Sequence, residues 1–214
     1  MSKTTLREIR FALTSLPEEL DKMYDQVLER IRNQDPDHGA LALKTLGWIY
    51  HAARPLKILE IQHALATGLG DTFFDEDGIP ETGLILAVYA GIVAIRENDT
   101  MAFVHYTAQE YLERHATDVF PDALGNIALT CLTYVSFVEF AQGSCVDYEA
   151  FELRQRVYPL LSYASKYWAV HGHDDGEMKI LALALQFLRQ NSKLMSSMQV
   201  LYAGNKHTLH QYSQ

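Results

Sequence analysis

Apolar residues recur at helical spacing over most of this chain. The first such stripe has the three-to-four-residue period of an amphipathic helix and consists of Leu16, Leu20, Tyr24, Val27, Leu28 and Ile31. Ser15-Leu16-Pro17-Glu18 has the form of a capping box, so we expect this helix to begin at Ser15. The polar segment 33–39 contains proline, glycine and aspartate, which predicts a loop there.

After this loop the pattern becomes compact and mixes helical with strand-like segments. Three helices are predicted, over 40–53, 58–66 and 82–90. The segment 54–56 between the first two is predicted to be extended, because the residue before a proline avoids the helical region. Two strands, 91–96 and 101–105, flank a tight turn at 97–100. Helix, short strand, helix, helix and two-stranded wing is the order of a winged-helix domain.

The remainder of the chain has a helical pattern interrupted by short breaks and without a repeat of fixed period. Helices are predicted over about 107–117, 121–138, 158–170, 178–188 and 194–202, with a short helical lead-in from Tyr148 before the third. The predicted fold class is therefore mainly α, with a winged-helix domain of three helices and a small β-wing followed by an all-helical domain. We divide the chain into an N-terminal helical segment (1–39), the winged-helix domain (40–118) and the helical domain (119–214).

Composition and charge narrow the function classes. The formal net charge is −9, and residues 40–118 hold five Lys or Arg against eleven Asp or Glu, which argues against a nucleic-acid partner. No apolar run is long enough for a membrane span, and no signal peptide is recognisable. The two cysteines, Cys131 and Cys145, form no CxxC pair, as expected of a cytoplasmic protein with reduced thiols.

A search for catalytic or metal-binding motifs predicts that this chain is not an enzyme. It contains no Gly-Lys pair and hence no phosphate loop, and it has no G-x-S-x-G elbow. Its densest histidine cluster, His171-x-His173-Asp174-Asp175, is interpreted as a solvated helix end without a metal, since a structural zinc usually needs four ligands. His51 and His63 are interpreted as packing residues. No catalytic or metal-binding residue is therefore predicted.

His105 is the one candidate binding residue. It ends a predicted strand just before a helix that opens at about Thr107, where Thr107 and Glu110 have the T-x-x-E spacing of a capping box. Backbone amides point outward at such a helix start, so a histidine there suits contact with an anion. The other interpretation is that His105 only ties the wing to the helix.

Four motifs in order resemble the fungal NACHT-ankyrin proteins, which are NLR-like signalling ATPases of the STAND class. The motifs are Leu16-Pro17-Glu18-Glu19-Leu20-Asp21-Lys22-Met23-Tyr24, Ala53-Arg54-Pro55-Leu56, Phe103-Val104-His105-Tyr106-Thr107-Ala108-Gln109-Glu110-Tyr111-Leu112 and Tyr158-Pro159-Leu160-Leu161-Ser162-Tyr163-Ala164 with Tyr167-Trp168. The resemblance covers about 13–171. It implies that 1–39 ends a NACHT-associated helical region and that 119–214 leads toward ankyrin repeats.

The resemblance also implies a function. In that family an upstream NACHT domain holds ADP or ATP with magnesium, the winged helix folds back over the nucleotide, and a histidine matching His105 contacts the diphosphate of ADP. ATP then opens the closed state, and the protein homo-oligomerises. The ATPase domain and the ankyrin repeats are missing from this chain, so it is expected to be a fragment or a truncated relative that holds no cofactor itself. It would act as a non-catalytic regulatory arm whose partners are the NACHT domain and the ankyrin repeats.

Two other functions stay open at this point. A free-standing winged-helix module could bind DNA or another protein, with 82–90 as the recognition helix. Leu84-Ile85-Leu86-Ala87-Val88-Tyr89-Ala90 carries no Arg, Lys, Asn or Gln to read bases, which disfavours the DNA alternative. The second alternative is a hydrolase. Turnover that is abolished by substituting one Ser, Cys or His would support it.

Overall fold

A computed structural model describes the backbone of residues 6–89, 91–172 and 178–211, and the side chains of 18–89, 91–172 and 178–203. In the first half it contains α1 (Leu6–Arg32), α2 (Pro36–His51), α3 (Ile58–Ala66), α4 (Thr82–Ala87), β1 (Val93–Ile95) and β2 (Met101–Phe103). In the second half it contains α5 (Tyr106–Val119), α6 (Ala123–Val135), α7 (Tyr148–Val157), α8 (Leu161–His171), α9 (Met178–Leu188) and α10 (Asn191–Gln211).

The winged-helix order predicted from the sequence is present. β1 and β2 pair antiparallel, with Val93 opposite Phe103 and Ile95 opposite Met101. The extended segment before α3 joins this hairpin, because the Met101 amide donates to the Leu56 carbonyl at 2.9 Å. The predicted fold class, mainly α with a winged helix and an all-helical part, is confirmed.

The beginning of α1 differs from the prediction. The helix begins at Leu6, so Ser15 is not its N-cap and Pro17 lies inside it. Residues 6–14 contain leucine, arginine, glutamate and alanine and no glycine or proline, so nothing in them ends a helix. A capping pattern within such a segment is therefore not a reliable start signal.

The loop after α1 is shorter than predicted, 33–35 rather than 33–39. Asp35 caps α2 by accepting the Asp37 amide at 3.1 Å, and Pro36 occupies a first-turn position where the missing N–H costs nothing. Gly39 consequently lies in the helix and is buried. A Cβ there would lie 3.1 Å from the Ile31 carbonyl oxygen, so glycine permits the close approach of α1 and α2.

The C-terminal ends of three helices differ from the prediction by three residues or more. α4 ends at Ala87 rather than at residue 90, and α10 continues to Gln211 rather than ending at residue 202. α6 ends at Val135 rather than at residue 138, because the Val138 amide donates to the Thr72 carbonyl at 2.8 Å and draws the backbone away from the helix.

The core is continuous from the winged helix into the helical part. α6 is buried along most of its length and packs against α2, α8, α9 and α10. α2 in turn packs against α1, α3, α5 and α6, so side-chain packing crosses both predicted boundaries, near residues 39 and 118. The three-part division of the chain stays a prediction. Among the described helices, none is both long and apolar enough to cross a bilayer.

Candidate functional site

A cleft of about 350 Å³ opens between the C-terminal end of α2, the extended segment after it, β2 and the start of α5. His105 lines this cleft, so the one residue predicted to bind a ligand faces a cavity rather than the core. The other side chains with polar groups that line the cleft are two arginines, two tyrosines and an amide, namely Arg54, Arg96, Tyr50, Tyr106 and Gln109.

His105 is the N-cap residue of α5, with an extended backbone and no capping hydrogen bond from its side chain. Its imidazole is exposed, and its Nδ1 lies 3.2 Å from Thr107 Oγ1. The ring also lies against Tyr106, at 5.2 Å between ring centres. Since the first amides of a helix lack intrahelical partners and carry the positive end of its dipole, this position favours a negatively charged ligand.

The predicted capping relation between Thr107 and Glu110 is wrong. α5 begins at Tyr106, so Thr107 is within the first turn and is not the N-cap. Its hydroxyl is instead hydrogen-bonded to Tyr24 OH at 2.7 Å, which connects α5 to α1. Thr107 therefore joins the candidate residue to the N-terminal helix.

Arg54 is paired with a carboxylate of the same chain and is therefore already neutralised. Its guanidinium makes two hydrogen bonds with the Glu60 carboxylate, at 2.9 and 2.7 Å, and lies over the Tyr163 ring at 5.2 Å. These interactions raise the pKa of Arg54, chiefly through the hydrogen bonds to Glu60. Arg54 therefore shapes one wall of the cleft but adds little net charge to it.

Arg96 differs from Arg54 in being exposed. Its Nη2 lies 3.4 Å from the Phe103 carbonyl, and among the described side chains no carboxylate lies within 4 Å of it. Sequence reasoning missed this residue. The hairpin register places Arg96 beside Thr100, at the turn end of the wing and away from His105. Only its long side chain reaches back to the Phe103 carbonyl in the cleft, and the sequence gives no signal of that.

The wall behind Arg54 belongs to α8. Tyr163 is fully buried, and its hydroxyl accepts the Ala53 amide at 2.9 Å and lies 2.7 Å from His171 Nε2. His171 is only 3% exposed, so its interpretation as part of a solvated helix end is wrong. The other members of that cluster, at 173–175, lie outside the described residues. Tyr163 thus connects the helical part to the segment that carries Arg54.

The other candidate groups among the described residues are structural. Within the described ranges, no three His, Cys, Asp or Glu side chains come close enough to hold a metal ion. His63 is buried and bonded to Tyr134 OH at 2.8 Å, in agreement with its interpretation as a packing residue. Asp75 caps a single helical turn by accepting the Asp77 amide.

These elements define a winged-helix domain with a cleft between its wing and the following helix. A family model described as "GPI inositol-deacylase, winged helix domain" matches residues 30–120, somewhat less than half of the chain. Winged-helix domains of this family are associated with NACHT-type proteins. Searches of curated proteins and of solved structures gave no significant match.

Proposed function

We propose that this chain is the non-catalytic regulatory arm of a NACHT-class signalling ATPase, and that His105 senses the nucleotide held by the NACHT domain. The observation that carries the proposal is the position of His105, exposed at the start of α5 and facing a cleft. The match of residues 30–120 to a winged-helix domain from a NACHT-associated family supports it.

The chemistry of the cleft suits a phosphate group. His105 and the exposed guanidinium of Arg96 supply donors, and the first amides of α5 add further donors and a favourable dipole. Arg54 is paired with Glu60 and acts in this scheme as a structural wall. The nucleotide and its magnesium ion are held by the NACHT domain, and this chain contributes contacts from one side.

The regulatory step is a two-state equilibrium. If His105 contacts ADP only when the arm is folded back, ADP stabilises the closed state relative to the open one. One hydrogen bond to a charged group is worth about 1.5–3 kcal/mol, enough to shift such an equilibrium roughly tenfold or more. ATP would relax this contact, and the opened, cytoplasmic protein would homo-oligomerise, with ankyrin repeats as the further partner of the arm.

The structure supports the DNA-binding alternative less well than the regulatory role. α4, the helix at the recognition position, is only six residues long and reads Thr82-Gly83-Leu84-Ile85-Leu86-Ala87. It carries no Arg, Lys, Asn or Gln, the side chains that make most specific contacts to base edges. A salt-dependent gel shift with duplex DNA would favour this alternative over ours.

We expect the isolated chain to hydrolyse no ATP and to bind ADP weakly or not at all. The reason is that its cleft supplies contacts to one side of a phosphate and the sequence contains no phosphate loop. Calorimetric titration with ADP and magnesium, together with a phosphate-release assay, measures both. Micromolar ADP binding or enzyme-dependent phosphate release would contradict the expectation.

The regulatory role is tested in a polypeptide that joins this region to a NACHT domain. We expect His105→Ala to raise self-association in the presence of ADP, measured by light scattering after size exclusion, because the closed state loses a contact. His115→Ala, on the same helix but outside the cleft, is the matched control. Equal self-association of the wild type and His105→Ala would reject the sensor role.

A further inference from the structure

A second groove, of about 370 Å³, lies on the helical part between the loop 142–147 and α7. It is separate from the His105 cleft and shares no lining residue with it. Its wall is an aliphatic stripe whose members follow one another by four, three and four residues, namely Val146, Ala150, Leu153 and Val157. The last three lie on one face of α7, with the spacing of a helix that packs against another helix, and Val146 extends this face from the loop just before the N-cap.

The stripe is exposed to an unusual degree for aliphatic residues. The side chains of Val146, Leu153 and Val157 are 95%, 54% and 42% exposed. The opposite side of α7 already packs inward through Phe151, so α7 is apolar on two sides. An exposed apolar stripe that borders a groove is a feature of interaction surfaces.

Arg154 is the only charged residue among those that line the groove. Its Nη1 donates to the Gly143 carbonyl at 2.7 Å and to Ser196 Oγ at 2.9 Å, both neutral acceptors. Among the described side chains, no carboxylate lies within 4 Å of this half-buried guanidinium. A guanidinium in an apolar wall interacts most strongly with a carboxylate, and the described side chains supply none within that distance.

We propose that this groove binds an amphipathic helix of a partner protein, with aliphatic side chains on the stripe and an Asp or Glu carboxylate paired with Arg154. The aliphatic residues of α7 share one helix face, which suits a second helix packed along it. Arg154, which has no carboxylate partner among the described side chains, favours an acidic residue on that helix. The proposal does not depend on the nucleotide-sensing role of His105.

The groove is preformed. The Gln199 side-chain amide holds the Cys145 backbone on both sides, accepting its N–H at 2.7 Å and donating to its carbonyl at 3.0 Å. Asp147 caps α7 by accepting the Ala150 amide at 2.8 Å. A wall fixed in this way loses little conformational entropy when a ligand binds, which favours affinity.

The test uses the full chain and a phage-displayed library of random peptides in a helical frame. We expect enriched peptides to combine aliphatic residues at i, i+3 or i+4 and i+7 with an Asp or Glu. In fluorescence anisotropy, changing that acid to its amide in the best peptide should weaken binding about tenfold, the value of one charge-assisted hydrogen bond. Arg154→Gln in the protein should abolish this difference between the two peptides.

The controls separate the groove from the rest of the surface. Arg156→Gln, an exposed arginine on the same helix outside the groove, should leave the acid-to-amide difference intact. Leu153→Asp and Val157→Asp should each weaken binding at least tenfold. Because both side chains are exposed, neither substitution is expected to unfold the protein. A circular-dichroism melt checks that each variant is folded. If one of the two aspartate variants does not fold, the other still tests the proposal.

Labelling of Cys145 gives an independent readout. The chain has two cysteines, and Cys131 is fully buried, so rapid reaction with a thiol reagent reports Cys145 at the groove. We expect the selected peptide to slow this reaction at saturation. Absence of enriched peptides, peptides insensitive to Leu153→Asp and Val157→Asp, or binding that ignores the acid-to-amide change would overturn the proposal.

Discussion

Lowering the pH from 7 to about 4.5 is expected to reduce the free energy of unfolding by several kcal/mol, through two histidines buried in neutral form. Each is hydrogen-bonded to a tyrosine hydroxyl in the core. His63 Nδ1 lies 2.8 Å from Tyr134 OH, and His171 Nε2 lies 2.7 Å from Tyr163 OH. The Tyr163 hydroxyl already accepts the Ala53 amide, so its own hydrogen is free to go to His171.

Protonation would disrupt both arrangements. A charged imidazole donates from both nitrogens, so neither ring could then accept a hydrogen from its tyrosine. The ring of His63 also stacks on Phe74 at 4.2 Å, which leaves no water to solvate a charge on that face. Burial lowers the pKa of His63 to about 4, and burial with some repulsion from His51 lowers the pKa of His171 to about 4.

The direction of the pH effect follows from these pKa values. Between pH 6.5 and 4 the unfolded chain takes up protons at these histidines and the folded chain does not, so stability falls as the pH falls. A depression from 6.5 to about 4 corresponds to about 3 kcal/mol for each histidine at the lower end of the range. Above pH 6.5 both histidines are neutral in the folded and in the unfolded chain, so they cause no loss of stability there.

Urea denaturation at a series of pH values measures this effect. His63→Leu removes one titrating group, and the dependence of stability on pH between 6.5 and 4.5 should become clearly shallower. The variant is also expected to lose about 1–3 kcal/mol at pH 7, because the Tyr134 hydroxyl loses its partner. His38→Leu, at an exposed position, is the control and should keep the wild-type slope. An unchanged slope in His63→Leu would show that His63 is not buried neutral.

Glu60→Gln is expected to lower the free energy of unfolding by about 2–3 kcal/mol. The carboxylate of Glu60 is 6% exposed and accepts three hydrogen bonds, two from Arg54 and one from the Lys57 amide at 2.8 Å. An amide keeps the shape but has one acceptor oxygen and no charge, so the half-buried guanidinium of Arg54 loses its counter-ion. The figure lies below that of a fully buried pair, because Arg54 is one-third exposed.

Glu60→Gln is also expected to change the backbone of the cleft wall. Because Glu60 fixes Arg54, its loss should also free the segment that precedes α3, seen as faster amide exchange at Lys57 and Ile58. Glu97→Gln, an exposed carboxylate in the wing turn, is the control and should change stability by less than about 0.5 kcal/mol. A loss equal to that control would mean that the Arg54–Glu60 pair contributes nothing to stability.

The parts of the fold set by local signals could be predicted from the sequence. α3 has the predicted bounds, because Pro55 precedes it and the glycines at 68 and 70 follow it. The wing was also predictable, since its turn and the alternating strands lie within fifteen residues. Both rest on short-range chemistry that a single sequence displays.

Features that depend on distant partners could not be predicted. The Thr107 hydroxyl is bonded to Tyr24, eighty-three residues away, so a local capping rule misassigned it. His171 stands beside acidic residues in the sequence, which suggested solvent. Tyr163 lies two helical turns before it and buries it instead. The groove beside α7 depends on Gln199, which holds the loop 142–147 through the Cys145 backbone from fifty-four residues away.

The candidate site was predictable at one residue only. His105 stood out because it joins a strand to a helix start, and the structure places it in a cleft. Its neighbours Arg54 and Arg96 come from the segment after α2 and from the wing, and only the folded chain shows that one is paired with Glu60 and the other is free of any described carboxylate. The charge that the cleft offers to a ligand is therefore a property of the tertiary structure.

The central claim is that His105 contacts the nucleotide of a NACHT domain, and ADP affinity tests it most directly. In a polypeptide that joins this region to a NACHT domain, we compare the dissociation constant of ADP for the wild type, His105→Ala and His115→Ala. His105→Ala should weaken ADP binding about tenfold or more, as expected for the loss of a hydrogen bond to a charged group, while His115→Ala matches the wild type. An unchanged ADP affinity in folded His105→Ala would contradict the account.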